Sequence, residues 1–209
     1  MRMRPAVLLA ALAMALVATL GAGRASATVV SVPSLEEMAA ASPIIADVTV
    51  LDETVMKDDQ KRILTRTRVV VNDGWRGSKR GAVLTLWQVG GSIGGKSAWI
   101  VGATHWNAGE HMVFFGGHHD GGAADEVVPF GIGLGTFDIV DDGVHKDGAV
   151  IENLGDVVDM DGTAPHARNY SSLSSFKQAV LAAVAVREVP GVQLKHKLAP
   201  SLRGARGAK

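Results

Sequence analysis

Apolar residues between positions 44 and 140 come in short runs punctuated by glycine. In "ILTRTRVVV", Thr65, Thr67 and Val69 alternate with Arg66 and Arg68. A period of two is that of a strand with one face turned inward and its arginines toward water. Similar runs follow in series: "IIADVTVLDETV", "AVLTLWQV", "AWIVGA", "HMVFFG", "VVPFGIG" and "GTFDIVDD". A further hairpin is predicted within "FDIVDDGVHKDGAVIENL", turning at Asp142-Gly143 or Asp147-Gly148. Two stretches break the rhythm. Ser34 and Glu37 form an S-x-x-E capping box ahead of a short apolar run that ends before Pro43, which predicts a helix. Leu173, Phe176, Val180 and Val184 recur at helical spacing. They predict a second helix, capped by Ser175 and Gln178, with Pro190 beyond its end. Six or seven short strands with a helix at each end predict a mainly β fold, a small closed or partly open antiparallel barrel. The strand–helix alternation of a parallel α/β sheet is missing.

The N-terminus is of another kind. A basic start, "MRMRP", leads into the apolar run Ala6 to Leu20, and Ala25-Ser26-Ala27 offers small residues for cleavage. This is the pattern of a secretory signal peptide over residues 1–27. The apolar run falls short of the roughly 20 residues that span a bilayer. A chain starting at Thr28, secreted or periplasmic and without stable membrane insertion, is the expectation. With no cysteine in the sequence, no disulfide framework forms.

Zero formal net charge hides an asymmetry. Residues 28–186 hold 12 Lys+Arg against 20 Asp+Glu, a net of −8, whereas residues 187–209 hold six bases against one acid, a net of +5. An acidic body argues against nucleic acid, whose phosphates need a basic face. Residues 28–187 thus predict one β-barrel domain, and 188–209 a basic, disordered tail.

Chemistry is suggested first by "GGSIGGKS", Gly90 to Ser97, which fits G-x-x-x-x-G-K-[ST]. A phosphate-binding loop needs a helix after it, aimed at the phosphates. "AWIVGATHWNAGEH" has β-branched residues and no helical stripe, so a strand is expected there and the P-loop reading ranks last. The G-x-S-x-G match through Gly90, Ser92 and Gly94 lacks the same helix. A glycine turn between two strands is the better reading.

His105, His111, His118 and His119 could supply zinc or copper ligands, although no helical ligand pair is spelled out. "DVVDMDGT" resembles a calcium loop through Asp159, Asp161 and Gly162, but its first and twelfth positions, Val157 and Arg168, carry no carboxylate. Trp75 lies in the turn-rich "NDGWRGSKRG", where an exposed indole would mark a binding face. Trp87 and Trp99 lie in strands and are expected in the core.

Taken in order, "ADVTVLDETV", "ILTRTRVVVNDGWRGS", "VLTLWQVGGSIGG", "VGATHWNAGEHMVFF" and "GIGLGTFDIV" resemble a set of secreted bacterial proteins over residues 43–140. The resemblance implies an OB-like barrel similar to netrin-like and tissue-inhibitor-of-metalloproteinase-like domains. It matches Gly90, Gly91, Gly94 and Gly95 to loop glycines, and Gly102, Gly109 and Glu110 to a second segment. Inhibition through an N-terminal cysteine does not carry over, because the chain has none.

The resulting expectation is an exported, non-enzymatic module without a cofactor that binds an extracytoplasmic protein or polysaccharide. Its contact residues would be Gly91, Ser92, Gly94, Lys96, Trp75 and Trp106, with "HHDGG" as a second loop. The alternative is a metal-binding protein or metal-dependent hydrolase using the four histidines, followed by a nucleotide-binding protein.

Overall fold

The computed structural model describes residues 32–98, 100, 103–154 and 166–187. The predicted signal peptide, the calcium-like segment "DVVDMDGT", Trp99 and the basic tail lie outside them. Ten strands are described: β1 Ile44–Lys57, β2 Ile63–Arg76, β3 Val83–Val89, β4 Gly91–Ile93 and β5 Lys96–Ala98; then β6 His111–His118, β7 Glu126–Pro129, β8 Thr136–Val140, β9 Ala149–Glu152 and β10 Asn169–Tyr170. Helix α1 is Leu35–Ala41 and α2 is Leu173–Arg187.

Five strands close a barrel. β1 pairs with β2 along one edge and with β6 along the other. β2 pairs with β3, β3 with β7, and β7 with β6, which returns to β1. This is the predicted OB-like barrel, and its pairs are antiparallel except β3–β7, where Thr85 lies opposite Glu126 in a parallel pair. β8, β9 and β10 continue outward from β6. β6 can serve both neighbours because it divides its edge. Met112 to Phe114 pair with β8, and Gly116 to His118 pair with β7. Gly116 marks the division: a Cβ there would lie 2.3 Å from Phe114 Cζ and 2.4 Å from the Val128 carbonyl oxygen.

Two apolar cores use the two faces of the same strands. Successive side chains of a strand point to opposite faces. Ile44, Ala46, Val48 and Val50 of β1, with Met112 and Phe114 of β6, fill the barrel with Val69, Val71, Leu84, Leu86 and Val127. Ile45, Val113 and Phe115 point the other way and meet Phe137, Val150 and the helices through Leu35, Met38, Phe176, Val180 and Ala183. Burial on both faces explains the apolar runs Ile44–Ala46 in β1 and Met112–Phe115 in β6, where alternation would mark a strand wet on one side.

Helix α1 is short and held at both ends. Ser34 Oγ accepts from the Glu37 N–H, and Glu37 Oε2 accepts from the Ser34 N–H, the predicted capping box. At the other end Arg76 Nη1 donates to the Ala39 carbonyl at 2.8 Å and to that of Ser42 at 3.3 Å, satisfying acceptors the helix leaves open. Ser175 helps start α2 as expected: Ser172 Oγ accepts from its N–H, and its own Oγ accepts from the Ser172 N–H. Asp147 Oδ2 accepts from the Ser174 N–H and hydroxyl. Gln178 is no cap, because it lies inside the helix.

Two turn expectations are corrected. β8 and β9 pair from Val140–Ala149 inward, so both Asp-Gly pairs lie in the connection 141–148 and neither makes a two-residue hairpin. Trp75 lies in β2, which runs on to Arg76 through "NDGW". Trp75 stands half-buried on the outer core, its ring 6.0 Å from that of Phe176 and edge-on to it. Among the described residues no helix is long and apolar enough to cross a membrane.

Candidate binding face

The inward residues of β2 and β3 are Ile63, Thr65, Thr67, Val69, Val71, Leu84, Leu86 and Gln88. Their neighbours in sequence point outward and pair across the strands: Leu64 with Val89, Arg66 with Trp87, Arg68 with Thr85, and Val70 with Val83. The outer face therefore carries an aromatic ring and two guanidinium groups side by side. Arg68 is engaged, because register sets it opposite Asp52 of β1, and its Nε donates to Asp52 Oδ2 at 2.9 Å. That hydrogen bond holds the Asp52 carboxyl below its ordinary pKa. Arg66 makes no ion pair among the described residues, and its buried Nε has no hydrogen-bond partner there. Thr85 and Glu126 extend the polar rim toward β7.

Loops flank both ends of β3. Beyond Val89 the chain enters the β4–β5 hairpin, which turns at Gly94 and Gly95 with φ of +59° and +72°. Two successive positive φ angles are those of a type I′ turn, which glycine adopts without strain. Near the other end, the Thr85 N–H donates to the Asp125 carbonyl in the turn that joins β6 to β7. "GGSIGGKS" and "HHDGG" thus bracket the outer face from opposite ends.

The hairpin settles the geometry of the opening motif. Lys96 and Ser97 belong to β5, so no helix N-terminus follows the glycines and no phosphate cradle forms. The same strand removes the nucleophile-elbow reading, and Ser92 Oγ meets Ser97 Oγ at 2.7 Å across the hairpin. Gly91 is packed rather than presented, since a Cβ there would lie 2.7 Å from Thr65 Oγ1 and from Val55 Cγ1. Ser92, Gly94 and Lys96 remain exposed.

Trp106 is not a surface contact. It is 3% exposed and belongs to the barrel core, carried there by a loop pinned where Glu53 Oε2 accepts the Trp106 N–H at 3.1 Å. Trp87, expected in the core, is the half-buried indole on the outer face. Strand register turns Trp87 outward, whereas a long-range loop hydrogen bond accompanies Trp106 into the core, and the sequence displays neither.

The histidines do not converge. His111 opens β6 and His118 closes it, about 23 Å apart at strand rise. His105 lies by Glu53, Nδ1 to Oε1 3.2 Å, and His119 follows in the β6–β7 turn. Among the described residues no three His, Cys, Asp or Glu side chains gather as a metal site. Among the described residues, then, the four histidines do not form one shared centre.

His111 instead joins a polar network that the sequence did not announce. Its Nε2 lies 2.5 Å from Oδ1 of Asp47, a carboxylate only 6% exposed. Asn72 Nδ2 donates to the same oxygen at 3.0 Å and to Thr49 Oγ1 at 2.8 Å. Asn72 reaches both because it is the extra residue of a bulge: Asp47 pairs with Asp73 and Val48 with Val71. The network borders the outer core on the face that carries Ile45.

Comparison with protein-family models, curated proteins and solved structures finds no match for this chain, so its fold and its site rest on their own geometry.

Proposed function

We propose that this chain is an exported, non-enzymatic β-barrel module that binds a polysaccharide across the outer face of β2 and β3. The observation that carries the reading is the cross-strand pair of Trp87 and Arg66 on an open sheet face. A sugar ring stacks on an indole, and its hydroxyls take hydrogen bonds from a guanidinium group and from Thr85. OB-type barrels bind oligosaccharides and oligonucleotides on this face, framed by loops at its ends. The net charge of −8 over residues 28–186 favours the sugar over the nucleic acid. The resemblance to secreted barrels supports the same placement outside the cytoplasm.

A protein ligand is the second reading, favoured by Leu51 and Val83, which are 41% and 44% exposed. Sedimentation with insoluble polysaccharides tests the first. Trp87→Ala and Arg66→Ala should each reduce the bound fraction at least tenfold, while Ser92→Ala on the hairpin leaves it within twofold. Retention by every polysaccharide unchanged in Trp87→Ala would refute it.

A further inference from the structure

Four arginines lie on or beside β2, and three of them are engaged. Arg62 Nε donates to Asp58 Oδ2 at 2.6 Å, Arg68 Nε to Asp52 Oδ2 at 2.9 Å, and Arg76 Nη1 to the Ala39 carbonyl at 2.8 Å. Arg66 is the exception. Among the described residues its guanidinium makes no ion pair and no hydrogen bond, although Nε is buried. A cation drawn partly out of water without a partner is unfavourable. Residues 28–186 carry 20 Asp+Glu, yet register places none of them opposite Arg66.

Two rows of side chains cross the outer face, about 7 Å apart at strand rise. One runs Thr54, Arg66, Trp87. The other runs Asp52, Arg68, Thr85, Glu126. In the first, an unpartnered cation stands between a hydroxyl and an indole. In the second, the cation is already neutralised and a carboxylate closes each end.

We infer that this face selects an acidic sugar, and that Arg66 binds the carboxylate of a uronic acid residue. The inference rests on the reading of Trp87 and Arg66 as a sugar-binding pair. A planar carboxylate takes two parallel N–H bonds from a guanidinium fork, and no protein acid occupies this one. The ring that bears the carboxylate lies on Trp87, within reach because cross-strand partners stand about 5 Å apart at Cβ. Thr54, exposed on the other side, offers its hydroxyl to the same ring. At physiological ionic strength fields fade over about 8 Å, so this local pair outweighs the net −8 of the body. The second row restricts the neighbouring sugars. A further carboxylate there would meet Asp52 and Glu126, with Arg68 already taken. A uronate flanked by neutral sugars therefore fits better than a run of uronates. Nucleic acid fits worse still, with a charge every 3.4 Å or so along each strand.

Affinity electrophoresis tests this with soluble polymers, each beside its carboxyl-reduced form. Hyaluronan and gellan carry neutral sugars between their uronates; polygalacturonate does not. Hyaluronan or gellan should bind about tenfold tighter than its reduced form, the scale of a charge-assisted hydrogen bond, and tighter than polygalacturonate. Arg66→Gln keeps a donor and removes the charge. It should erase the preference and leave the reduced polymer bound as before. Arg66→Lys, which keeps the charge without the fork, should retain only part of the preference. Lys146→Gln removes one positive charge from the exposed connection between β8 and β9 and should leave the preference intact. Thermal unfolding reports whether each variant folds; if Arg66→Gln does not, Arg66→Lys decides. Equal binding of acidic and reduced polymers, both weakened by Trp87→Ala, would overturn the uronate and leave the sugar face standing. Binding of no polymer, or no effect of Trp87→Ala on any, would overturn both. A preference that survives Arg66→Gln, or that Lys146→Gln abolishes equally, would overturn the role of Arg66. Polygalacturonate bound as tightly as the other two would overturn the restriction set by the second row.

Discussion

Strands β1 and β6 bury both faces, against different kinds of neighbour. On the inner face, Ile44, Val48, Val50, Met112 and Phe114 meet other strands of the barrel. On the outer face, Ile45, Val113 and Phe115 meet two helices that precede β1 and follow β10. The inner core is largely aliphatic. The outer one is aromatic, with Phe176 of α2 within 4.5–6.2 Å of the rings of Tyr170, Phe137, Trp75 and Phe115. A single side chain of α2 therefore gathers most of the outer layer, whereas no one residue does so inside. Sheet closure distributes the burden within the barrel; helix docking concentrates it outside.

Truncating Phe176 should expose this difference most. Phe176→Ala removes a fully buried ring and should cost about 3–5 kcal/mol. Phe114→Ala should cost a comparable amount. Hydrogen exchange separates them: Phe176→Ala should raise exchange first in α1 and α2 while β1–β3 amides stay protected, and Phe114→Ala should raise it throughout the barrel. Identical exchange maps would mean that the two cores melt as one unit.

Arg168→Met should come next. Arg168 Nε donates to Glu152 Oε2 at 2.9 Å, and the Glu152 side chain is fully buried at the margin of the outer core. Removing the cation leaves that carboxylate unpaired, which typically costs about 3 kcal/mol. Denaturant unfolding should show the loss, and the double variant Arg168→Met with Glu152→Met should recover part of it. A third effect is smaller. Ser34→Ala removes the α1 cap and should cost about 1 kcal/mol, read as a lower melting temperature with the barrel's ligand binding unchanged.

The smallest effect concerns pH. Burial raises the Asp138 carboxyl above its ordinary pKa, with Asn153 Nδ2 partly opposing this by donating to Oδ2 at 3.0 Å. A raised acid favours its protonated form in the folded state, so this group's contribution to stability falls as pH rises through the carboxylate range. Asp138→Asn should therefore flatten the stability profile there and stabilise the protein slightly at neutral pH. A profile unchanged between the two proteins would exclude Asp138 as its source.

The alternating strands were legible because their pattern is local. "ILTRTRVVV" announced β2 and its two faces, and Ser34 with Glu37 announced α1. What could not be read was anything set by register. That Trp87 lies beside Arg66, that Arg68 meets Asp52, and that Asn72 bulges toward Asp47 all depend on which residue faces which across a pair of strands. Trp106 was misplaced for a related reason. A loop between glycines reads as exposed, yet the Trp106 N–H donates to the carboxylate of Glu53, 53 residues earlier, and its ring lies in the barrel. The parallel β3–β7 contact was likewise invisible, since nothing local marks two strands as neighbours when β4, β5 and β6 lie between them in sequence.

The pairing of β1 with β6 also sets a timetable. Ile44 meets Gly116, 72 residues away in sequence (116 − 44), and the outer layer waits for Phe176. A growing chain has no closed sheet to complete until β6 and β7 exist, and no full cover for Ile45 and Phe115 until α2 is made. Folding of such a long-range topology is slow, and the β1–β3 meander waits with open edges and bare apolar faces. Neither core can therefore be completed until the strands and the helix that close it have been made.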